Sequence, residues 1–271
     1  MAITLMKPDD IRQAANVTTY AHSKITPLLI WLACLCVAIV MLVHNGPHFH
    51  PLKIFAVVGL LFLFLFKRFI IAPFQSSNWL VRTAEDGLYV QFRSYLNYRW
   101  PALTPTVAFI PYCDIRSARL VRETVTVPRL DRQNASSTEF HRYVELELIS
   151  STESLSAALQ EERNHSPPDN TATYRDYPVT LKVPPFLRIE WNVRPNARTF
   201  LKRLPASISI HDPVKLREDF TNVHGLDAKQ QEQRIRELDR RGRRLEAIYL
   251  AQRVRCCGLT EATHYVDQLE K

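Results

Sequence analysis

Two long runs of apolar residues dominate the amino-terminal part of the chain. The first, 25–43 (ITPLLIWLACLCVAIVMLV), contains no charged residue, and the second, 54–72, is interrupted only by Lys67 and Arg68. With a rise of about 1.5 Å per residue, a helix over the first run would be roughly 28 Å long, close to the hydrocarbon thickness of a bilayer. The second run reaches that length if its two cations extend to the headgroups. The pattern predicts two transmembrane helices joined by an external turn at 44–53.

The cations around these runs predict an orientation. Lys24 precedes the first helix, Lys67 and Arg68 lie near the end of the second, and the turn carries only Lys53. By the positive-inside rule, the amino-terminal segment 1–24 and all residues after the second helix are cytoplasmic. We therefore expect a multi-pass inner-membrane protein with both termini in the cytoplasm and these four cations at the membrane interface. A cleaved signal peptide, the alternative for the first run, would begin after an unusually long polar segment.

Beyond residue 78 the apolar residues recur with a period of two. Alternate positions are apolar in LYVQF, which follows NWLVRT and the turn EDG, and in HRYVELELIS, at Leu88, Val90 and Phe92 and at Val144, Leu146 and Leu148. PVTLKV and FLRIEW are further strand candidates, and a short helix at 196–204 follows the last of them. Several short strands closed by one helix predict a small antiparallel barrel or sandwich.

The same region contains a set of turn, strand-start and core residues. They are Trp79, Asp86-Gly87-Leu88, Ile110-Pro111-Tyr112, Asp114-Ile115, Phe200 and Leu204. Following a membrane hairpin, the chain over 78–205 thereby resembles the bacterial pleckstrin-homology-like domains. The resemblance implies a partly open seven-stranded barrel capped by a helix, and a role in binding or assembly. Residues 150–177 are polar and net acidic, which predicts an insertion that is either disordered or a partner-binding loop.

After a linker at 206–226, the tail 227–271 has helical character and is rich in arginine. Gly258 interrupts it, which predicts a helical hairpin whose second helix carries an apolar stripe. Arginines held near a membrane would contact anionic headgroups, whereas a solvated helix face neutralised by neighbouring carboxylates is the alternative. The candidate partner- or lipid-binding residues of the tail are Arg240, Arg241, Arg243, Arg244, Tyr249, Gly258 and Glu261.

This hairpin also resembles a known element. Through Ala247-Ile248, Gly258-Leu259, Glu261-Ala262 and Val266-Asp267 it is similar to the helix-turn-helix of the carboxy-terminal domain of the bacterial ribosomal stalk protein. That element docks protein factors by means of lysines around its turn. The resemblance implies that the tail recruits a protein partner.

Composition narrows the functional classes. The chain has 35 Lys and Arg against 27 Asp and Glu, a formal net charge of +8, and only six glycines. It has no glycine-rich phosphate loop and no motif for a catalytic residue, metal or cofactor, and the arginine run lacks the interleaved aromatics of a nucleic-acid site. We therefore expect a membrane-anchored α+β protein, non-enzymatic and without a cofactor, that recruits a protein partner at the cytoplasmic face. Lipid-headgroup sensing is the alternative, and homo-oligomerisation is left open.

Overall fold

The computed structural model describes residues 3–11, 17–43, 67–100, 104–128, 136–164, 177–182, 185–220, 226–255 and 257–269. The chain divides into two compact units. The first comprises 1–114, 150–174 and 192–200, and the second comprises 115–149, 175–191 and 201–271. The described part of each unit contains one five-stranded sheet.

The first unit has an antiparallel sheet with the strand order β1-β5-β4-β3-β2. Its strands are β1 (Thr4–Met6), β2 (Thr18–Tyr20), β3 (Val81–Thr83), β4 (Gly87–Gln91) and β5 (Val107–Pro111). Its helices are α1 (Ile25–Val43), α2 (Lys67–Ile71) and α3 (Glu153–Asn164), and α4 (Ala197–Leu201) lies where the chain passes to the second unit.

The predicted hairpin after residue 78 is confirmed by the pairing of β3 with β4. Leu88, Val90 and Phe92 are almost completely buried, as predicted, and Tyr89 and Gln91 between them are buried as well. The turn needs a glycine at Gly87, because a Cβ there would lie 2.5 Å from the backbone carbonyl oxygen of Ile110.

Two segments for which the sequence predicts no strand or helix contribute to the first unit. Strands β1 and β2 come from the segment 1–24, which the sequence predicts only as a cytoplasmic amino-terminal segment. The polar stretch 150–177 contains α3, so its described part is neither disordered nor a loop. Leu155 and Leu159 of α3 are buried, and Glu162 on the same helical face forms an ion pair with Arg93 at 2.7 Å. Because this buried face includes the carboxylate of Glu162, its residues do not form a continuous apolar stripe in the sequence, and the helix was not predicted.

The expected membrane spans require a correction. Helix α1 is uncharged, and several of its large side chains are exposed, among them Leu29 at 59% and Val40 at 67%. Yet none of the helices in the described parts of the chain combines the length and apolar character needed to cross a membrane.

The second predicted span and the external turn lie largely outside the described residues, since the description resumes only at α2. The finding on the described helices contradicts the predicted two-helix transmembrane hairpin and the multi-pass inner-membrane placement. Lys24 is exposed just before α1, Lys53 lies outside the described residues, and Lys67 and Arg68 begin α2 with side chains that are not described.

The second unit has a mixed sheet with the order β10-β6-β7-β9-β8. Its strands are β6 (Ile115–Pro128), β7 (Ser136–Leu148), β8 (Val179–Lys182), β9 (Phe186–Glu190) and β10 (Ser209–Asp219). Three helices follow, α5 (Ala228–Arg240), α6 (Arg244–Arg255) and α7 (Leu259–Leu269). In β7 the predicted apolar positions Val144, Leu146 and Leu148 are buried, and Glu145 between them is buried as well.

The predicted linker 206–226 contains β10, which pairs with β6 in parallel. The register shifts between His211 and Val214, on either side of Asp212-Pro213. A proline is compatible with an edge strand at a bulge, because no ladder hydrogen bond is lost there.

These differences correct the predicted fold class. Residues 78–205 do not form a single seven-stranded PH-like barrel, because their strands are shared between two sheets that also recruit residues before and after that range. The protein is a mixed α+β structure. Its parallel β10–β6 pair and its sheet partners distant in sequence could not be read from periodicity, which predicts strands but not their order.

Candidate binding surfaces of the second unit

The helical tail folds onto one end of the second sheet. Its core combines Ile235 and Leu238 of α5 with Leu250 of α6, and Val125 and Val127 of β6 belong to the same apolar cluster. Asp227 caps α5 by accepting a hydrogen bond from the backbone N–H of Gln230 at 2.7 Å. Because strand and helices share one core, the tail is part of the folded unit and not an appendage.

Three of the four predicted arginines form ion pairs within this unit. Arg243 donates two hydrogen bonds to the carboxylate of Glu139 on β7, at 2.6 and 2.8 Å. Arg241 donates to Glu237 at 2.9 Å and reaches Glu123 on β6 at 3.5 Å. These contacts tie the tail to the sheet.

The remaining residues of the predicted tail site lie in different surroundings. Arg244 pairs with Asp267 and Asp239, and Arg240 is exposed. Tyr249 is half-buried, whereas Gly258 and Glu261 are exposed and adjoin each other, because the backbone N–H of Gly258 donates to the Glu261 carboxylate at 3.4 Å. The structure thus brings Gly258 and Glu261 together but does not gather the predicted set into one surface.

One face of the second sheet, which we call the paired face, is defined by Arg119, Glu123, Glu145 and Arg188. Arg119 and Arg188 stand on either side of Glu145 in register, across β6, β7 and β9. Arg119 donates to Glu145 at 2.7 Å, and Arg188 donates to Glu145 at 2.8 Å and to Glu123 at 3.3 Å. Both carboxylates and Arg188 are at most 7% exposed. Buried charges of this kind persist only when each has a partner, which is the case here.

The pKa values on and beside the paired face follow from this packing. Burial raises the pKa of Tyr143, and the charges of Glu190 and Glu123 add to the effect. A hydrogen bond with Glu190, at 3.2 Å, raises the pKa of His141, which also contacts Glu139 at 3.3 Å. Burial opposes ionisation of Glu139, but the hydrogen bonds and charges of Arg243 and His141 prevail and lower its pKa.

The opposite face, which we call the basic face, is defined by Arg122, Phe140, Arg142, Lys215 and Arg217. All five side chains are exposed. Arg122 lies in register with Lys215 on one side and with Arg142 on the other, so three cations stand in a row across three neighbouring strands. Pattern reading missed this surface, because the residues come from strands that are far apart in sequence. The alternation in VRETV and VKLRE indicates cations on one face of each strand, but it does not indicate that the two strands are neighbours in the sheet.

A cleft of about 290 Å³ lies among the three helices of the tail. It is lined by Ala228, Gln231, Glu232, Ile235, Val254, Arg255 and Tyr265. The guanidinium of Arg255 lies 3.9 Å from the centre of the Tyr265 ring. Close by in sequence, Leu259 begins the predicted apolar stripe of α7, yet it is 65% exposed, whereas Ala262 and Val266 of the same stripe are buried.

No family model, curated protein or solved structure matches the chain. The likenesses to PH-like domains and to the ribosomal stalk protein therefore stay predictions. Among the described residues, no three or more His, Cys, Asp or Glu side chains are grouped so that they could hold a metal ion. Function is thus inferred from the chemistry of the surfaces described above.

Proposed function

We propose that the protein is a non-catalytic binding module that recruits a protein partner through the cleft of its tail. The observation that carries this proposal is the cleft itself, whose lining includes the apolar side chains of Ile235 and Val254 and an exposed cation, Arg255. The preferred occupant is a segment with a large apolar side chain next to an acidic residue. Such pockets, where an apolar anchor is flanked by a charge contact, concentrate binding energy at interfaces.

Leu259 supports the same proposal. Its stripe partners are buried, but Leu259 extends beyond the helical core at the start of α7. An exposed leucine at the end of an otherwise buried stripe enlarges the apolar contact available to a partner. The arginine run gives less support to lipid-headgroup binding by the tail, because Arg241, Arg243 and Arg244 form ion pairs within the chain.

The test uses a photo-crosslinking amino acid at Leu259 in the full chain, in cells. Leu245 provides the matched control, since it is equally exposed at 65% but lies at the other end of α6 from the α6–α7 turn, about 15 Å away along the helix. We expect a discrete adduct from position 259 and none from 245. An adduct of twice the chain's mass would identify a second copy as the occupant and would contradict recruitment of a different protein.

A charge reversal sharpens the test. Arg255→Glu should lower the yield of the adduct about tenfold, as expected for the loss of roughly 1.4 kcal/mol of binding free energy. Arg240→Glu makes the same charge change at another exposed position of the tail and should leave the yield unchanged. Equal losses in both variants, or adducts at both crosslinker positions, would contradict a specific cleft.

A further inference from the structure

The basic face carries an arrangement of like charges that does not stabilise the fold. In antiparallel pairs, side chains directly opposite each other are close neighbours, and like charges there are unfavourable. Arg122 nevertheless stands opposite Arg142 on β7 and beside Lys215 on β10, and Arg217 follows two residues further along β10. With strands roughly 4.8 Å apart, the three cations of the row span about 10 Å.

Nothing in the described part of the chain neutralises this row. None of Arg122, Arg142, Lys215 and Arg217 has an ion pair or side-chain hydrogen bond there, whereas Arg119, three residues before Arg122 on β6, forms an ion pair with Glu145. The cations are also not held in place by burial, since all four are exposed. Their repulsion would be relieved by an anionic surface laid across the three strands.

The residues around this row of cations favour an extended flat surface, such as that of a bilayer, as the ligand. Phe140 is 78% exposed on the same face, opposite Thr124, two pairs further along the hairpin from Arg142. Beyond it the hydroxyls of Thr126 and Thr138 face each other at 3.5 Å. An aromatic ring beside a row of cations suits a bilayer interface, where the ring enters the headgroup layer and the cations meet phosphates. Single-stranded nucleic acid fits less well, because such sites stack successive bases on several aromatic rings.

We infer that the basic face binds the anionic surface of a phospholipid bilayer, with Arg122, Arg142, Lys215 and Arg217 at the phosphates and Phe140 inserted among the headgroups. This is peripheral contact by the sheet, and it involves a surface separate from the tail cleft. It goes beyond recruitment of a protein and does not depend on it. A chain that bound lipid through the sheet and a protein through the tail would hold that protein next to the membrane.

The experiment measures binding of the full chain to vesicles of phosphatidylglycerol mixed equally with phosphatidylcholine. Vesicles of phosphatidylcholine alone give the background from apolar contacts elsewhere in the chain. Arg142→Gln combined with Lys215→Gln should weaken the charge-dependent part of binding about 30-fold, because each cation near an anionic surface contributes about fivefold. The same part of binding should fall with added salt. Phe140→Ser should weaken binding to the mixed vesicles without changing its salt dependence.

The matched control is Arg236→Gln combined with Arg240→Gln, which lowers the net charge equally at exposed positions of the tail. We expect this variant to bind within about threefold of the unsubstituted chain, and equal losses in the two double variants would overturn the assignment. Thermal unfolding checks that the variants remain folded, because removing cations that repel one another should not lower the stability. Binding to a single-stranded oligonucleotide is measured with the same variants. If the double substitution at Arg142 and Lys215 abolished oligonucleotide binding but left vesicle binding intact, the ligand would be a nucleic acid and the proposal would be overturned.

Discussion

The two faces of the second sheet place their cations in opposite ways. On the paired face Arg119 and Arg188 flank Glu145, so that charges alternate across β6, β7 and β9. On the basic face Arg122 is flanked by Arg142 and Lys215, so that charges of one sign stand side by side across β7, β6 and β10. The first arrangement satisfies buried groups within the chain, whereas the second leaves exposed groups for a ligand. Cations of the same strand, three residues apart, thus differ in role because they face different sides of the sheet.

Breaking the paired face should have the largest effect. Arg188→Met leaves the carboxylates of Glu123 and Glu145, at 2% and 3% exposure, without their shared guanidinium. Removing one partner of a buried ion pair costs about 3–5 kcal/mol, so the free energy of unfolding should fall by that amount. Chemical denaturation measures it, and hydrogen exchange in β7 and β9 locates it.

The control for this substitution is Arg116→Met, which breaks an exposed pair with Glu147 on the same sheet. Exposed pairs contribute only about 0–1 kcal/mol, and the stability of this variant should change by no more than that. If the two variants were equally stable, the paired face would not be the internal support that we describe.

The contact between the paired side of the sheet and the tail should have the next largest effect. Arg243→Gln removes the double hydrogen bond to Glu139 and the contact with Glu246. Hydrogen bonds between charged groups contribute about 1.5–3 kcal/mol, and we expect faster amide exchange throughout α5, α6 and α7. Arg240→Gln, at an exposed position of the same turn, should leave exchange unchanged; an identical increase would contradict a specific contact.

The pH dependence of stability should reflect the ionisable groups on the paired side of the sheet. Hydrogen bonding to Glu190 raises the pKa of His141 above its usual 6.5, so protonation favours the folded state. This contribution is fully present below the unfolded-state pKa and is lost as pH rises through the higher folded-state value. The free energy of unfolding, measured at a series of pH values, should decline above pH 6.5. This decline should be smaller in the His141→Gln variant. A decline of the same steepness in the variant would assign it to another group.

The carboxylates on the same side act in the other direction. The pKa of Glu139 and that of Glu237 are lowered, because their contacts with arginine and lysine outweigh the effect of burial. Their contribution is present above the usual value of 4.5 and is lost as pH falls through the folded-state pKa. Stability is therefore expected to be greatest between these two windows.

The smallest effect should come from relieving the basic face. Arg142→Gln removes one cation from the row and should raise the free energy of unfolding by about 0.2–1 kcal/mol, the usual range for a cross-strand pair. Thermal and chemical unfolding of the full chain measure this change. A loss of stability would mean that Arg142 supports the fold, and the contrast between the faces would then not hold.

Much of the local structure was predictable from the sequence. Alternation of apolar residues predicted the hairpin at Leu88 and the strand at Val144, because successive side chains of a strand point to opposite faces of the sheet. The helical stripe of the tail was predictable for the same kind of reason, and Ala262 and Val266 are buried as expected. Helix α3 was not, because its inner face includes Glu162, whose burial depends on Arg93 at a distance of 69 residues.

The candidate sites were less predictable than the elements. The arginine run was visible as a run, but only tertiary contacts show that Arg241 and Arg243 face the carboxylates of β6 and β7. The membrane spans were inferred from apolarity alone, and the described helices do not meet the requirement for crossing a bilayer.

The sequence by itself determined which residues alternate, that the tail is helical, and that positive charge is in excess. Those properties depend on neighbours within a few positions, and the local backbone period expresses them directly. Only the tertiary structure decided that β10 lies beside β6, and hence that Lys215, Arg122 and Arg142 form one row while Arg119 faces Glu145. Strand order and register depend on the joint burial of distant segments, so whether a charge is paired or exposed is settled when the sheets assemble.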